Sequence, residues 1–130
     1  MESFSVSTKR KCEFVDITRR AAEAVRESGV EEGLAVVFVP HTTAGITINE
    51  NADPSVRADI LSHLDRAVPE SAGYTHAEGN SPGHIKASMM GSSVTLVVSG
   101  GRPALGTWQG IYLCEFDGPR TRKVYVQVTE

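Results

Sequence analysis

Two rhythms of apolar and polar positions run along this chain and divide it into strands and helices. Ser3–Thr8 and Lys11–Val15 alternate roughly apolar with polar, with Lys-Arg-Lys at their junction, which predicts an opening pair of short strands. The period then lengthens. Ile17, Ala21, Ala24 and Val25 recur at helical spacing, Asp16 is placed to cap and Gly29 to terminate, so a helix is expected at about residues 17–28. From Gly33 the run LAVVFVP is almost wholly apolar, as in a strand buried on both faces, and Pro40 ends it. His41 to Gly45 read as a turn or bulge. Ile46–Glu50 then alternates again, with Ile46 and Ile48 toward the core and Thr47 and Asn49 away from it.

Asp53-Pro54 opens a second helix, since the carboxylate accepts from free backbone N–H groups and proline at the first helical position loses no needed donor. Its apolar stripe is Val56, Ile60, Leu64 and Ala67, and Pro69 stops it. Gly83–Met90 predicts a short helix in which Ile85, Met89 and Met90 are apolar and the methionines fill core space. SSVTLVVSG, Thr107–Phe116 and Thr121–Thr129 read as strands, the last two joined by Asp117-Gly118-Pro119-Arg120. The order ββαββα, a short helix, then βββ indicates an α+β fold with largely antiparallel pairing.

A chain of 130 residues is the size of one domain with one core. Its net charge of -3 gives no basic surface for broad nucleic-acid binding, so no nucleic-acid partner is expected. No apolar run approaches a membrane span and the N-terminus lacks a signal-type apolar region, so a cytoplasmic protein without membrane contact is expected. Cys12 and Cys114 show no CxxC spacing, which excludes a zinc ribbon and argues for buried hydrophobes or free thiols.

Candidate chemistry concentrates at Tyr74–Ile85, YTHAEGNSPGHI, a loop with two histidines, one acid and little to offer a core. His76 and His84 are candidate metal ligands, with His41 from the earlier strand end as a third; three imidazoles and one open position suit a catalytic metal. The same residue types are also ordinary turn formers, and the pair lacks the i, i+4 spacing of a helical metal motif. His63 sits beside the apolar stripe of its helix, where packing or partial exposure accounts for it without a metal. Glu78 is a candidate general base or partner to a ligand, or else a solvated loop carboxylate. Glu50 either faces a cleft or begins to cap the next helix. Lys86 and Arg102 are candidate phosphate contacts, though surface charge is the ordinary role of either, and Trp108 is first a packing residue. There is no GxSxG, P-loop or GxGxxG pattern.

HTTAGITINENADPSVRADI at residues 41–60, Tyr74-Thr-His-Ala-Glu-Gly-Asn, His84-Ile-Lys, Gly91-Ser-Ser and Gly106-Thr-Trp-Gln-Gly-Ile-Tyr-Leu-Cys-Glu together resemble the YjbQ family. This family is also called UPF0047 or the secondary thiamine-phosphate synthase family, and the likeness covers nearly the entire chain. The resemblance implies a single ββαββαβββ domain, seven strands in a two-sheet sandwich with two main helices, assembling as a homotrimer. It implies metal binding through the histidines of the HT[ST], HxEG and HI motifs, which fall on His41, His76 and His84. Glu78 falls on the motif acid, Asn49, Glu50 and Asn51 on the TINEN segment, and Trp108 and Gln109 on GTWQ. The chain departs from the family pattern at Pro103, where leucine is more usual, and at the Ser99-Gly100 turn.

These expectations give Glu78 and Glu50 as acid–base candidates and Asn49, Asn51, Lys86, Arg102, Trp108 and Gln109 as substrate contacts. The cofactor expected is a divalent metal, Zn²⁺ by its imidazole ligands, with Mg²⁺ the alternative where pyrophosphate must leave. The activity implied by the resemblance joins a pyrimidine pyrophosphate to a thiazole phosphate, giving thiamine phosphate and pyrophosphate. A metal-dependent hydrolase and a non-catalytic trimer binding metal or a phosphoryl ligand are the alternatives.

Overall fold

Every strand pairing in the molecule is antiparallel. The computed structural model describes residues 1–130 as β1 (Glu2–Ser7), β2 (Glu13–Asp16), α1 (Thr18–Glu27), β3 (Glu32–Phe38), β4 (Ala44–Glu50), α2 (Pro54–Ala67), α3 (Ser81–Met90), β5 (Ser93–Ser99), β6 (Arg102–Pro103), β7 (Gln109–Glu115) and β8 (Thr121–Thr129). One sheet has the order β1-β8-β3-β5-β6 and the other β2-β7-β4. All seven strands expected from the sequence are present. The eighth, β6, is a two-residue return from the Gly100-Gly101 turn onto β5.

The opening strands do not pair with each other. β1 joins β8 in the larger sheet while β2 joins β7 in the smaller one, so the Lys-Arg-Lys junction carries the chain between sheets. The segment Asp117–Arg120 likewise crosses from β7 to β8 instead of closing a hairpin.

The main core lies between the sheets. Val37, Leu96 and Val126 from the larger sheet meet Ile46, Ile111 and Leu113 from the smaller one, and Ile17 just before α1 joins Ala21, Ala24 and Val25 of the helix in the same cluster. Each fully buried valine, leucine or isoleucine among these contributes roughly 1.5–3 kcal/mol. Asp16 supports the start of α1 by accepting from Thr18 N–H at 2.9 Å and from its hydroxyl at 2.6 Å. A second core covers the other face of the smaller sheet, where Phe14, Tyr112, Cys114 and Phe116 pack against Leu64 of α2 and Ala87 of α3.

Three burial expectations change. The run Leu34–Val39 is not buried on both faces: Ala35, Val37 and Val39 are inside, whereas Leu34, Val36 and Phe38 lie on the uncovered outer face of the larger sheet. The strand buried on both faces is β7, the central strand of the smaller sheet, with the main core on one face and the second core on the other. In α2, Ala67 is exposed, and the packed face is Ile60, Leu61 and Leu64, followed by Val68 at the cap. In α3, Ile85 and Met89 point outward; Gly83, Lys86, Ala87 and Met90 form the inward face at i, i+3, i+4 and i+7 spacing. Small residues let this helix approach the sheet closely. Asp53 caps α2 as expected, accepting from Ser55 N–H at 2.9 Å. Both cysteines are free, and burial pushes the Cys114 thiol up. No helix is long and apolar enough to cross a membrane.

Candidate functional site

The end of the sandwich where β3 finishes and β4 begins gathers the histidines. His41 follows β3 just beyond the last β3–β8 pair, Phe38 with Tyr125. There its Nε2 accepts from the backbone N–H of Lys123 at 2.9 Å. Accepting at Nε2 means that the neutral ring carries its proton on Nδ1. Burial first, and then the nearby Arg122 charge, lower the His41 pKa from the ordinary imidazole value of 6.5, so the ring is neutral at neutral pH.

The helix α3 is pinned beside it. Ile46 N–H donates to Gly91 O at 3.0 Å and Val39 N–H donates to Ser92 O at 2.9 Å, tying the end of α3 to both flanking strands. Gly45 permits this approach, since a Cβ there would stand 2.8 Å from Gly91 O and 2.9 Å from Met90 Cβ. The result is an open cavity of about 480 Å³ between His41, Thr42, Ser92, Ser88 and His84. A second cavity of about 440 Å³, lined by Tyr74, Thr75, His76, Ser81 and Ile85, also has His84 in its wall. The His76 and His84 rings meet edge to face with centroids 5.2 Å apart. His84 therefore stands between His41 and His76.

Behind His41 lies a buried ionic network that sequence reasoning missed. Arg122 and Glu115 are 1% and 0% exposed and form a direct ion pair. Arg122 Nε donates to both Glu115 oxygens, and Nη2 donates to the Thr43 carbonyl at 3.1 Å and hydroxyl at 2.8 Å. The carboxylate also accepts from Thr8 Oγ1 at 2.7 Å and Asp117 N–H at 3.0 Å. Removing two charges from water costs several kcal/mol each, and these bonds supply the compensation. A signal was present: Glu115 is in phase with Ile111 and Leu113, and Arg122 with Val124 and Val126, so both had to point inward.

The structure divides the other predicted residues. Glu78 stays at the histidine end, exposed on the turn closed by Gly79 N–H donating to His76 O at 3.2 Å. Asn49, Glu50, Asn51, Trp108 and Gln109 gather at the opposite end of the smaller sheet, where Glu50 pairs with Gln109. From Ala44 to Glu50 the strand spans about 20 Å, so within one chain these residues do not meet the histidines. They brace each other: Asn51 N–H donates to Trp108 O, Tyr112 Oη donates to Glu50 O, and Gln109 Oε1 accepts from Gly106 N–H. Arg102 is also at the far end, since β6 pairs with the last residues of β5. Lys86 points away from His84 into a separate cavity beside Cys12. Exposed Trp108 packs no core. No group of three or more His, Cys, Asp or Glu side chains is arranged to hold a metal; the donors available to one ion are the adjacent His76 and His84, and His41 would have to release Lys123 N–H to join them.

Two antiparallel sheets around the main core, two helices closing a second core on the smaller sheet and an imidazole-lined cavity at one end define an α+β sandwich of a particular kind. The chain belongs to the family described as UPF0047 protein YjbQ-like, which matches residues 2–130. It is 53% identical over 125 residues to a UPF0047 protein of Methanocaldococcus jannaschii, covering 96% of this chain and 91% of that one. It is 47% identical to UPF0047 protein YugU of Bacillus subtilis, covering 98% of each. A YjbQ/UPF0047 crystal structure from Clostridium acetobutylicum superposes with a TM-score of 0.97 at 56% identity, covering 99% of this chain and 100% of that one. A YbjQ-like protein from Sulfolobus solfataricus gives a TM-score of 0.94 at 35% identity, with coverage of 98% and 94%.

Proposed function

We propose that the protein is a metal-dependent enzyme acting on a phosphorylated small molecule, with the pyrophosphate-releasing synthesis of thiamine phosphate as the activity its family resemblance implies. The observation that carries this reading is the shared position of His84, in the wall of both cavities and next to His76. His76 and His84 would hold the metal, with His41 as the third ligand. A bound divalent metal supplies positive charge to phosphate oxygens. The hydroxyls of Thr42, Ser88 and Ser92 line the cavity and suit hydrogen bonding to the same oxygens. Exposed Glu78, two residues beyond His76, is the acid–base group on this side. Lys86 and Arg102 have no part in this site because of where they lie.

Elemental analysis of the purified protein beside His41→Ala, His76→Ala and His84→Ala variants tests the ligands, followed by a thiamine-phosphate assay on metal-free and reloaded protein. His84→Ala is expected to lose metal most completely, since it removes the imidazole that both cavities share. Stoichiometric metal surviving all three substitutions would sink the site. Equal synthase rates in the wild type and the triple variant would remove its catalytic role.

The same reading makes the working form a homotrimer. Its support is the uncovered outer sheet face, where Leu34 is 47%, Val36 37%, Phe38 37% and Val97 60% exposed. The stripe ends at Phe38 and Tyr125, whose rings lie 6.3 Å apart close to His41. Sedimentation should show a trimer for the wild type and its dissociation in Phe38→Glu; a wild-type monomer at micromolar concentration would rule the trimer out.

A further inference from the structure

On the side of α3 away from His84, a cavity of about 390 Å³ opens between α2, α3 and the turn before β2. Lys86 reaches into it with its side chain only 2% exposed. A lysine buried this deeply ordinarily has a carboxylate or several oxygens on its ammonium. Here no oxygen lies within hydrogen-bond distance. Its hydrogen-bond partner is the Cys12 sulfur, with Nζ and Sγ 3.8 Å apart. The Asp65 carboxylate is also 3.8 Å away, on a side chain that is 70% exposed. Glu70, at the same rim, is taken by Lys11 at 3.0 Å. The Cys12 sulfur also lies 4.0 Å from the Phe116 carbonyl oxygen. The thiol and the amine thus face each other in a cavity open to small molecules, with one further long polar contact apiece.

We propose that Cys12 and Lys86 form a redox-sensitive cross-linking site, at which dioxygen converts this contact into a covalent Nζ–O–Sγ bridge. The ammonium first gives a proton to water. The neutral amine and the thiol then each lose one hydrogen, one oxygen atom enters between nitrogen and sulfur, and the other leaves with the two hydrogens as water. Nitrogen and sulfur each give up two electrons, and the four reduce both atoms of dioxygen. Burial holds the Cys12 thiol above its ordinary range even though the Lys86 charge opposes this, which disfavours thiolate chemistry such as disulfide exchange. Bridge formation would remove a buried positive charge and tie the turn before β2 to α3. Since α3 carries His84, oxidation would act on the helix that shapes the histidine cavities. The bridge does not depend on what those cavities bind.

The test compares the full-length protein kept anaerobic with the same protein held in air-saturated buffer, by intact mass and peptide mapping. The bridge predicts a gain of one oxygen less two hydrogens on a linked pair of peptides carrying Cys12 and Lys86, with Cys12 no longer alkylated. Dithiothreitol should reverse it. The species should persist in Cys114→Ala and be absent from Cys12→Ser and Lys86→Met; should either of those fail to fold, the wild-type mass and map still decide. Loss of two hydrogens without oxygen, oxygen gain without hydrogen loss, or an unchanged mass with Cys12 still alkylated would each overturn the proposal.

Discussion

Replacing Arg122 with alanine is expected to lower folding stability by about 3–5 kcal/mol in urea denaturation, because it leaves Glu115 charged, buried and without its main partner. The size of the effect comes from the partner left behind. Glu115 is 0% exposed and keeps only Thr8 and Asp117 as donors, which do not neutralise it. Glu115→Leu alone should cost a similar amount by stranding the guanidinium. The double variant Arg122→Met with Glu115→Leu should recover most of the loss, since a buried pair replaced by apolar residues of similar volume is often neutral or more stable by about 1–4 kcal/mol. Strict additivity of the two single losses would contradict the pairing. Arg122 also holds the carbonyl and hydroxyl of Thr43, two residues after His41, so the single variants should loosen the histidine end as well.

The larger features of the fold were legible because each rests on a local pattern. Asp16 and Gly29 bracket α1, Asp53-Pro54 opens α2, and the strands alternate with a period of two. What local pattern does not carry is the partner of each strand. Nothing in Ser3–Thr8 says that it pairs with the C-terminal strand, more than a hundred residues away, while the next strand joins the other sheet. Burial on one face or two is similarly a property of the neighbours. LAVVFVP has the composition of a fully buried strand, yet its outer face is uncovered in the single chain.

The site was legible in part. The histidines were recognisable as loop residues with little packing value, and His84 and His76 do come together. The candidate substrate contacts were not separable by sequence, because Glu50 and His41 are only nine positions apart although a whole strand lies between them. Lys86 illustrates the helical version of the same difficulty. It is two positions from His84, which places the two side chains on different faces. The ionic network behind His41 was missed despite a usable signal, since a charged residue in phase with core valines is either an error of register or a buried pair.

Phe116→Ala is expected to cost about 3–5 kcal/mol and to loosen α3 selectively. The ring is 1% exposed and belongs to the second core, where it meets Phe14 edge-on at 6.4 Å and shares its cluster with Leu64 of α2 and Ala87 of α3. Its backbone reinforces the contact: Phe116 N–H donates to Thr43 O at 3.1 Å, and a Cβ on Gly83 would stand 2.9 Å from Phe116 O. Removing the ring therefore opens a cavity under the helix that carries His84. The control is Ile111→Ala, a change of about 2–5 kcal/mol in the core between the sheets, on the opposite face of β7. Hydrogen exchange should separate the two variants, since sub-global opening confined to one packed unit exposes its amides before the rest. Amides of residues 81–90 should exchange faster in Phe116→Ala than the global loss of stability accounts for, and in Ile111→Ala they should follow the global value. Equal behaviour of α3 in both variants would mean that the second core does not hold the helix independently, and that His84 is positioned by the pinned Gly91 and Ser92 end alone.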